Sequence, residues 1–158
     1  MKKTPETVHA ADKKLAKDLH ELIILNHDRF EGYKQAAEHS KDADLKSLFV
    51  KFSTQSKHFS AILESHLPEW SEAPKETATK DSGKLFRTWM DFKSNLSSNE
   101  RKAILSSCEF GEDQINKAYE KVLSDTEGFS AAVIKTIKDQ HIALRESHDM
   151  IKELRNKA

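Results

Sequence analysis

A chain of 158 residues is long enough for one domain with a single hydrophobic core. Glycine and proline are scarce, at 4 and 3 residues, and charged residues make up 33% of the chain, a composition typical of an all-helical protein. Lys plus Arg and Asp plus Glu both number 26, and this zero net charge argues against nucleic acid or an anionic membrane as a partner, since both attract a basic excess.

The beginning of the chain and its single cysteine indicate a cytoplasmic protein. Met1 and two lysines are followed by polar residues rather than by the apolar stretch of a signal peptide. The strongly apolar run at residues 22–25 is too short to cross a bilayer. Cys108 has no second cysteine with which to form an internal disulfide.

Apolar residues recur at helical spacing in four long segments, which predicts four helices. The predicted helices span about residues 12–40, 44–66, 98–124 and 129–156. The first two are joined by a short turn and are therefore expected to be antiparallel neighbours. Pro68 ends the second helix, and Ser97 with Glu100 forms a capping box for the third.

A long connection between the second and third helices determines the predicted topology. Within it, residues 84–93 form a short amphipathic helix, interpreted as a plug for one end of the core or, alternatively, as a partner-binding helix. A helix of about 25 residues is about 38 Å long, and a connection of about 30 residues can cross that length. The second and third helices can then run parallel, as in ferritin-like bundles. We therefore expect an all-α, ferritin-like four-helix bundle, formed as one domain by residues 1–158.

Polar residues interrupt the apolar stripes at mid-helix and form a predicted polar layer. An unpaired buried polar group costs roughly 1–3 kcal/mol, so such a layer needs partners. It is either a metal site, the remnant of one, or a hydrogen-bonded network. Its members are Asn26, Gln55, His58, Glu109, Glu112, Gln140, His141 and His148.

Metal binding is one interpretation of this layer. Ferritin-like di-metal sites take a Glu from each of two helices and a Glu-x-x-His motif from each of the other two. The second helix instead has Gln55 before His58, and the fourth has no such motif. An uncharged amide is a poor bridge between two cations, so a single ion, such as zinc held by Glu112, His58 and His141 or His148, fits better than a di-iron centre. The candidate ligands for Fe, Mn or Zn are Glu109, Glu112, His58, His141 and His148.

The other interpretation is a satisfied hydrogen-bonded network that fixes the packing of the bundle. Asn26, Gln55, Gln140 and the two glutamates then form this network together, and Glu112 has a pKa raised by burial or pairs with an arginine such as Arg29. Cys108 is interpreted as a small buried hydrophobe. The outer side chains expected in solvent are His9, His20, His27 and His39, and Asp28 and Glu31 are expected on faces other than the inward one.

Taken in order and spacing, several stretches make the chain similar to a bacterial family of ferritin-like bundles that is classified as a domain of unknown function. These stretches include Glu31-Gly32-Tyr33, Asp44-Leu45-Lys46 with Gln55, Trp89 with Asp91, residues 108–113 with Tyr119, and Gln140 with His148-Asp149. The resemblance implies the ferritin-like fold and no particular activity.

The incomplete ligand set and two candidate exposed aromatics, Trp70 and Trp89, favour a non-enzymatic role. We expect a structural or stress-related binding protein that associates through a helix face with a second copy or another protein. Metal binding is the alternative function. A third hypothesis, an apolar ligand between the helices, requires a pocket of about 300 Å³ or more.

Overall fold

The computed structural model describes residues 10–75 and 100–158, which contain four helices and no strands. The helices are α1 (Ala10–His39), α2 (Ala43–Ser65), α3 (Glu100–Leu123) and α4 (Ala131–Lys157). All four helices predicted from the sequence are confirmed, and their described ends lie within two residues of the predicted ones. Residues 98 and 99, where the third helix was predicted to begin, lie outside the described residues. The predicted short helix at 84–93, Trp89 and the Ser97 cap lie outside the described residues.

Local sequence explains the turn that separates α3 from α4. Gly128 adopts a φ of +84°, a conformation that side chains disfavour. A Cβ atom at Gly128 would also lie 2.7 Å from the Cβ of Ala11, so the turn packs directly on the first turn of α1. Ser130 then caps α4, because its hydroxyl accepts a hydrogen bond from the Val133 amide at 3.2 Å.

Contacts between helix ends show that α2 and α3 run parallel. Arg101, in the first turn of α3, donates to Asp42 at 2.9 Å and to Asp44 at 2.8 Å, both at the start of α2. At the opposite end of the bundle, Lys14 near the start of α1 donates to the Asp125 carbonyl, just beyond α3, at 2.7 Å. The parallel orientation predicted for the second and third helices is thus confirmed, and α1 is antiparallel to both.

The four helices share one core. Leu19, Leu22 and Ile23 of α1 are fully buried in it, as are Ile137 and Ile151 of α4. Of the helices described, none is apolar over a sufficient length to cross a membrane. Among the described residues, the large apolar side chains that remain exposed are Val50, Phe110, Ile142 and Met150.

Candidate functional site: a buried ionic network

An ion pair lies at the centre of the bundle. The Nε atom of Arg29, on α1, donates to Oε1 of Glu112, on α3, at 2.6 Å. The side chains are 1% and 0% exposed, so both charges are withdrawn from water. Such burial is favourable only where the attraction and additional hydrogen bonds compensate the lost hydration.

The remaining nitrogens of Arg29 bind the other two helices. Nη1 donates to the Ser56 hydroxyl of α2 at 2.8 Å and to the Phe52 carbonyl at 3.2 Å. Nη2 donates to the Ser147 hydroxyl of α4 at 3.1 Å. The guanidinium also lies against the rings of Tyr33 and Phe52, at 5.1 and 5.4 Å from their centroids. One arginine therefore links α1 to α2, α3 and α4.

Glu112 is held by two hydroxyl groups as well as by Arg29. Tyr33 donates to Oε1 at 2.7 Å, and the Ser147 hydroxyl lies 2.5 Å from Oε2. Burial, reinforced by the charge of Glu112, raises the pKa of Tyr33 well above its ordinary value. Burial and the same carboxylate raise the pKa of the fully buried Cys108 thiol. The network therefore keeps both neighbours protonated.

A chain of hydrogen bonds between uncharged side chains extends from this pair toward the end of the bundle at which α1 begins. Ser56 donates to Asn26 Oδ1 at 2.9 Å, and Asn26 Nδ2 donates to the Tyr119 hydroxyl at 2.9 Å. Tyr119 in turn donates to Gln140 Oε1 at 2.6 Å, and Gln140 Nε2 donates to the Phe59 carbonyl at 3.3 Å. Each step joins two different helices.

The expected pairing of Glu112 with Arg29 is confirmed, and Asn26 and Gln140 lie inside a hydrogen-bonded network. Gln55 does not reach it: its side chain is half-buried, and Oε1 has no hydrogen-bond partner among the described residues. Ser56 occupies the central position on α2 instead. We call the connected side chains the Arg29 network; its members are Asn26, Arg29, Tyr33, Ser56, Glu112, Tyr119, Gln140 and Ser147.

A family model described as a domain of unknown function, DUF2383, matches residues 14–125. The chain belongs to this family. The match includes most of α1 and all of α2 and α3, and it ends before α4, so Gln140 and Ser147 lie outside it. No curated protein and no solved structure matches the chain.

The five candidate metal ligands of this DUF2383 member are not brought together. Glu109 pairs with Arg155 at 2.9 Å, His141 lies 3.6 Å from Glu120, and His148 Nε2 lies 2.6 Å from Asp113. His58 is exposed on α2, so its expected inward position is wrong. Within residues 10–75 and 100–158, no three His, Cys, Asp or Glu side chains are placed to hold one ion.

Three other expectations about exposure need correction. His27 was expected in solvent but is 7% exposed, and Asp28 is fully buried rather than on an outer face. Trp70 is half-buried, which weakens its interpretation as an exposed aromatic. The central role of Arg29 has a signal in the sequence: Asn26, Arg29 and Tyr33 follow one another at three- and four-residue spacing and therefore share a helix face.

Proposed function

We propose that this chain is a ferritin-like four-helix bundle in which Arg29 supplies the positive charge that metal ions supply in metal-binding bundles. The protein is then non-enzymatic and serves as a structural or stress-related binding protein of the cytoplasm. The observation that carries this proposal is the buried Arg29–Glu112 pair, which uses the one fully buried carboxylate of the network to neutralise an arginine.

The arrangement of the helices supports the ferritin-like part of the proposal. The parallel course of α2 and α3 requires a connection that crosses the length of the bundle, as ferritin-like folds have. The Arg29 network also draws on all four helices at mid-bundle, where such folds place their metal ligands.

Metal content tests the proposal directly. We would purify the untagged chain from cells grown with added iron, manganese and zinc, and measure bound metal by plasma mass spectrometry. We expect far less than one ion per chain, and no difference between the parent and the Glu112→Gln and Glu109→Gln variants. Near-stoichiometric metal that either substitution removes would overturn the proposal in favour of the metal-binding alternative.

The outer face of α4 is the surface through which we propose that the protein associates. Ile142 is 58% exposed at its centre and Met150 is 43% exposed two turns later. Lys135 and Asp149 lie seven residues before and after Ile142. An antiparallel second copy centred on Ile142 would therefore place Lys135 opposite Asp149, which is the self-complementarity that a two-fold symmetric dimer requires.

A further inference from the structure

A polar cleft of about 310 Å³ lies between α3 and α4, on the outer side of the Arg29 network. Its volume lies at the lower end of the range typical of small-molecule sites. It is lined from α3 by Asp113, Asn116, Lys117 and Glu120, and from α4 by Arg145, His148 and Asp149.

Asn116, one of the residues that line this cleft, has a buried acceptor. The residue is 8% exposed, and its Nδ2 donates to the carbonyls of Glu112 at 2.9 Å and Leu144 at 3.1 Å. These two bonds identify which end of the amide is the nitrogen. Oδ1 is left buried without a hydrogen-bond partner among the described residues. A buried acceptor of this kind costs free energy until a donor reaches it.

The cleft contains charged side chains of both signs. His148 lies between two carboxylates, with Nε2 2.6 Å from Asp113 and Nδ1 3.1 Å from Asp149. Lys117 and Arg145 are exposed, and neither forms an ion pair with the described residues. The cleft therefore presents two unpaired cations beside an acceptor that lacks a donor.

From this combination we propose that the cleft binds a small zwitterion of the α-amino-acid type. The ammonium group donates to Asn116 Oδ1 and is attracted by the carboxylates of Asp113 and Glu120. The carboxylate of the ligand pairs with Arg145 and Lys117. A simple anion would lack a donor for Asn116 and would be repelled by the acidic side chains, and a simple amine would leave the two cations unpaired. The site shares His148 with the candidate metal ligands and Asp149 with the proposed α4 interface, but the binding of a zwitterion requires neither a metal ion nor a second copy.

Nuclear magnetic resonance of the ¹⁵N-labelled full chain tests this inference, with glycine, L-alanine and L-glutamate as probes. We expect saturable shifts of the Asn116 side-chain amide and of backbone amides in the cleft, at ligand concentrations on the order of 10 mM or below. L-Lactate, which lacks the ammonium group, and ethylamine, which lacks the carboxylate, should bind more weakly than L-alanine.

Two exposed cations of α4 provide a matched pair of variants. Arg145→Gln should weaken binding roughly two- to fivefold, as expected for the loss of one exposed ion pair. Lys152→Gln removes an exposed charge that does not line the cleft and should leave binding unchanged. The inference is overturned if none of the three amino acids gives saturable shifts, if both variants bind alike, or if lactate binds as tightly as alanine.

Discussion

Arg29 and Glu112 form an ion pair whose energetic value depends on the presence of both partners. With either side chain removed, the other would remain charged and buried, which typically costs about 3–5 kcal/mol. Replacement of both by apolar residues of similar size is often nearly neutral. Removal of one partner of this pair is therefore expected to destabilise the protein more than replacement of both partners by apolar residues.

A double-mutant cycle on this pair is the first prediction. Glu112→Leu and Arg29→Met should each lower the free energy of unfolding by about 3–5 kcal/mol, and the double variant should lose less than either single variant. Urea denaturation followed by circular dichroism measures all four proteins.

The exposed pair Lys157–Glu153 is the matched control, since its N–O distance is 2.9 Å but its side chains are 72% and 69% exposed. Lys157→Gln should change the free energy of unfolding by less than about 0.5 kcal/mol. Losses of the same size at the buried and exposed pairs would contradict our account.

The Cys108 thiol is predicted to be unreactive in the folded protein, because it is fully buried and burial raises its pKa. Labelling by a thiol-directed reagent at pH 8 should follow the fraction of unfolded protein as urea is added. Rapid labelling without denaturant would show that Cys108 is accessible, contrary to this prediction.

At the scale of the helices, the interface between α3 and α4 contains two histidines whose pKa values are shifted in opposite directions. Although partial burial disfavours the charged form of His148, its hydrogen bonds to Asp149 and Asp113 raise the pKa above 6.5. Burial, together with Arg145, lowers the pKa of His141 despite the nearby Glu120. Stability from His148 is thus fully present below pH 6.5 and is lost as the pH rises through its folded pKa. Stability from His141 is present above pH 6.5 and is lost as the pH falls through its folded pKa.

Proton NMR of the two imidazoles should therefore give a titration midpoint above 6.5 for His148 and below 6.5 for His141. Asp113→Asn should lower the midpoint of His148, because it removes the negative charge that stabilises the imidazolium. Asp139→Asn, on an exposed part of α4, serves as the control and should leave both midpoints unchanged. Midpoints in the reverse order would contradict the geometry at this junction.

The turn before α4 gives a prediction that separates the backbone strain of a positive φ at residue 128 from a steric clash with Ala11. Gly128→Ala should lower the free energy of unfolding by about 1–3 kcal/mol, because Ala disfavours the positive φ and its Cβ meets Ala11. Adding Ala11→Gly should recover the loss of unfolding free energy that is due to the clash, but not the loss that is due to the positive φ. Thermal unfolding of the single and double variants measures both parts, and full recovery would show that φ contributes nothing.

Helical periodicity was sufficient to predict the four helices, because each one buries a continuous apolar stripe in a common core. The polar layer was predicted less well because a side chain one position along a helix points about 100° away. Gln55 and His58 share one face of α2, whereas Ser56, the next residue, faces Arg29. The rotation of α2 about its axis depends on the helices packed against it, so it cannot be predicted from the sequence of α2 alone.

At the scale of the whole molecule, we predict self-association from the exposed apolar side chains on the outer face of α4. Multi-angle light scattering over a range of concentrations should detect dimers of the parent chain, and Ile142→Lys should shift the equilibrium toward monomer. Val50→Lys is the matched control, since Val50 is 55% exposed on α2, away from the proposed interface. A strict monomer at every concentration, or an equal effect of both variants, would contradict association through α4.

The direction of the helices also determines how the bundle would bear mechanical force. The start of α1 lies beside the turn that precedes α4, whereas α4 ends beside the first half of α3, as the contact of Arg155 with Glu109 shows. Ala10 and Lys157 therefore lie at opposite ends, separated by roughly 40 Å for a helix of 27 residues. Tension applied between them would load the helices in shear along their length, so that many packing contacts would have to break together rather than one after another.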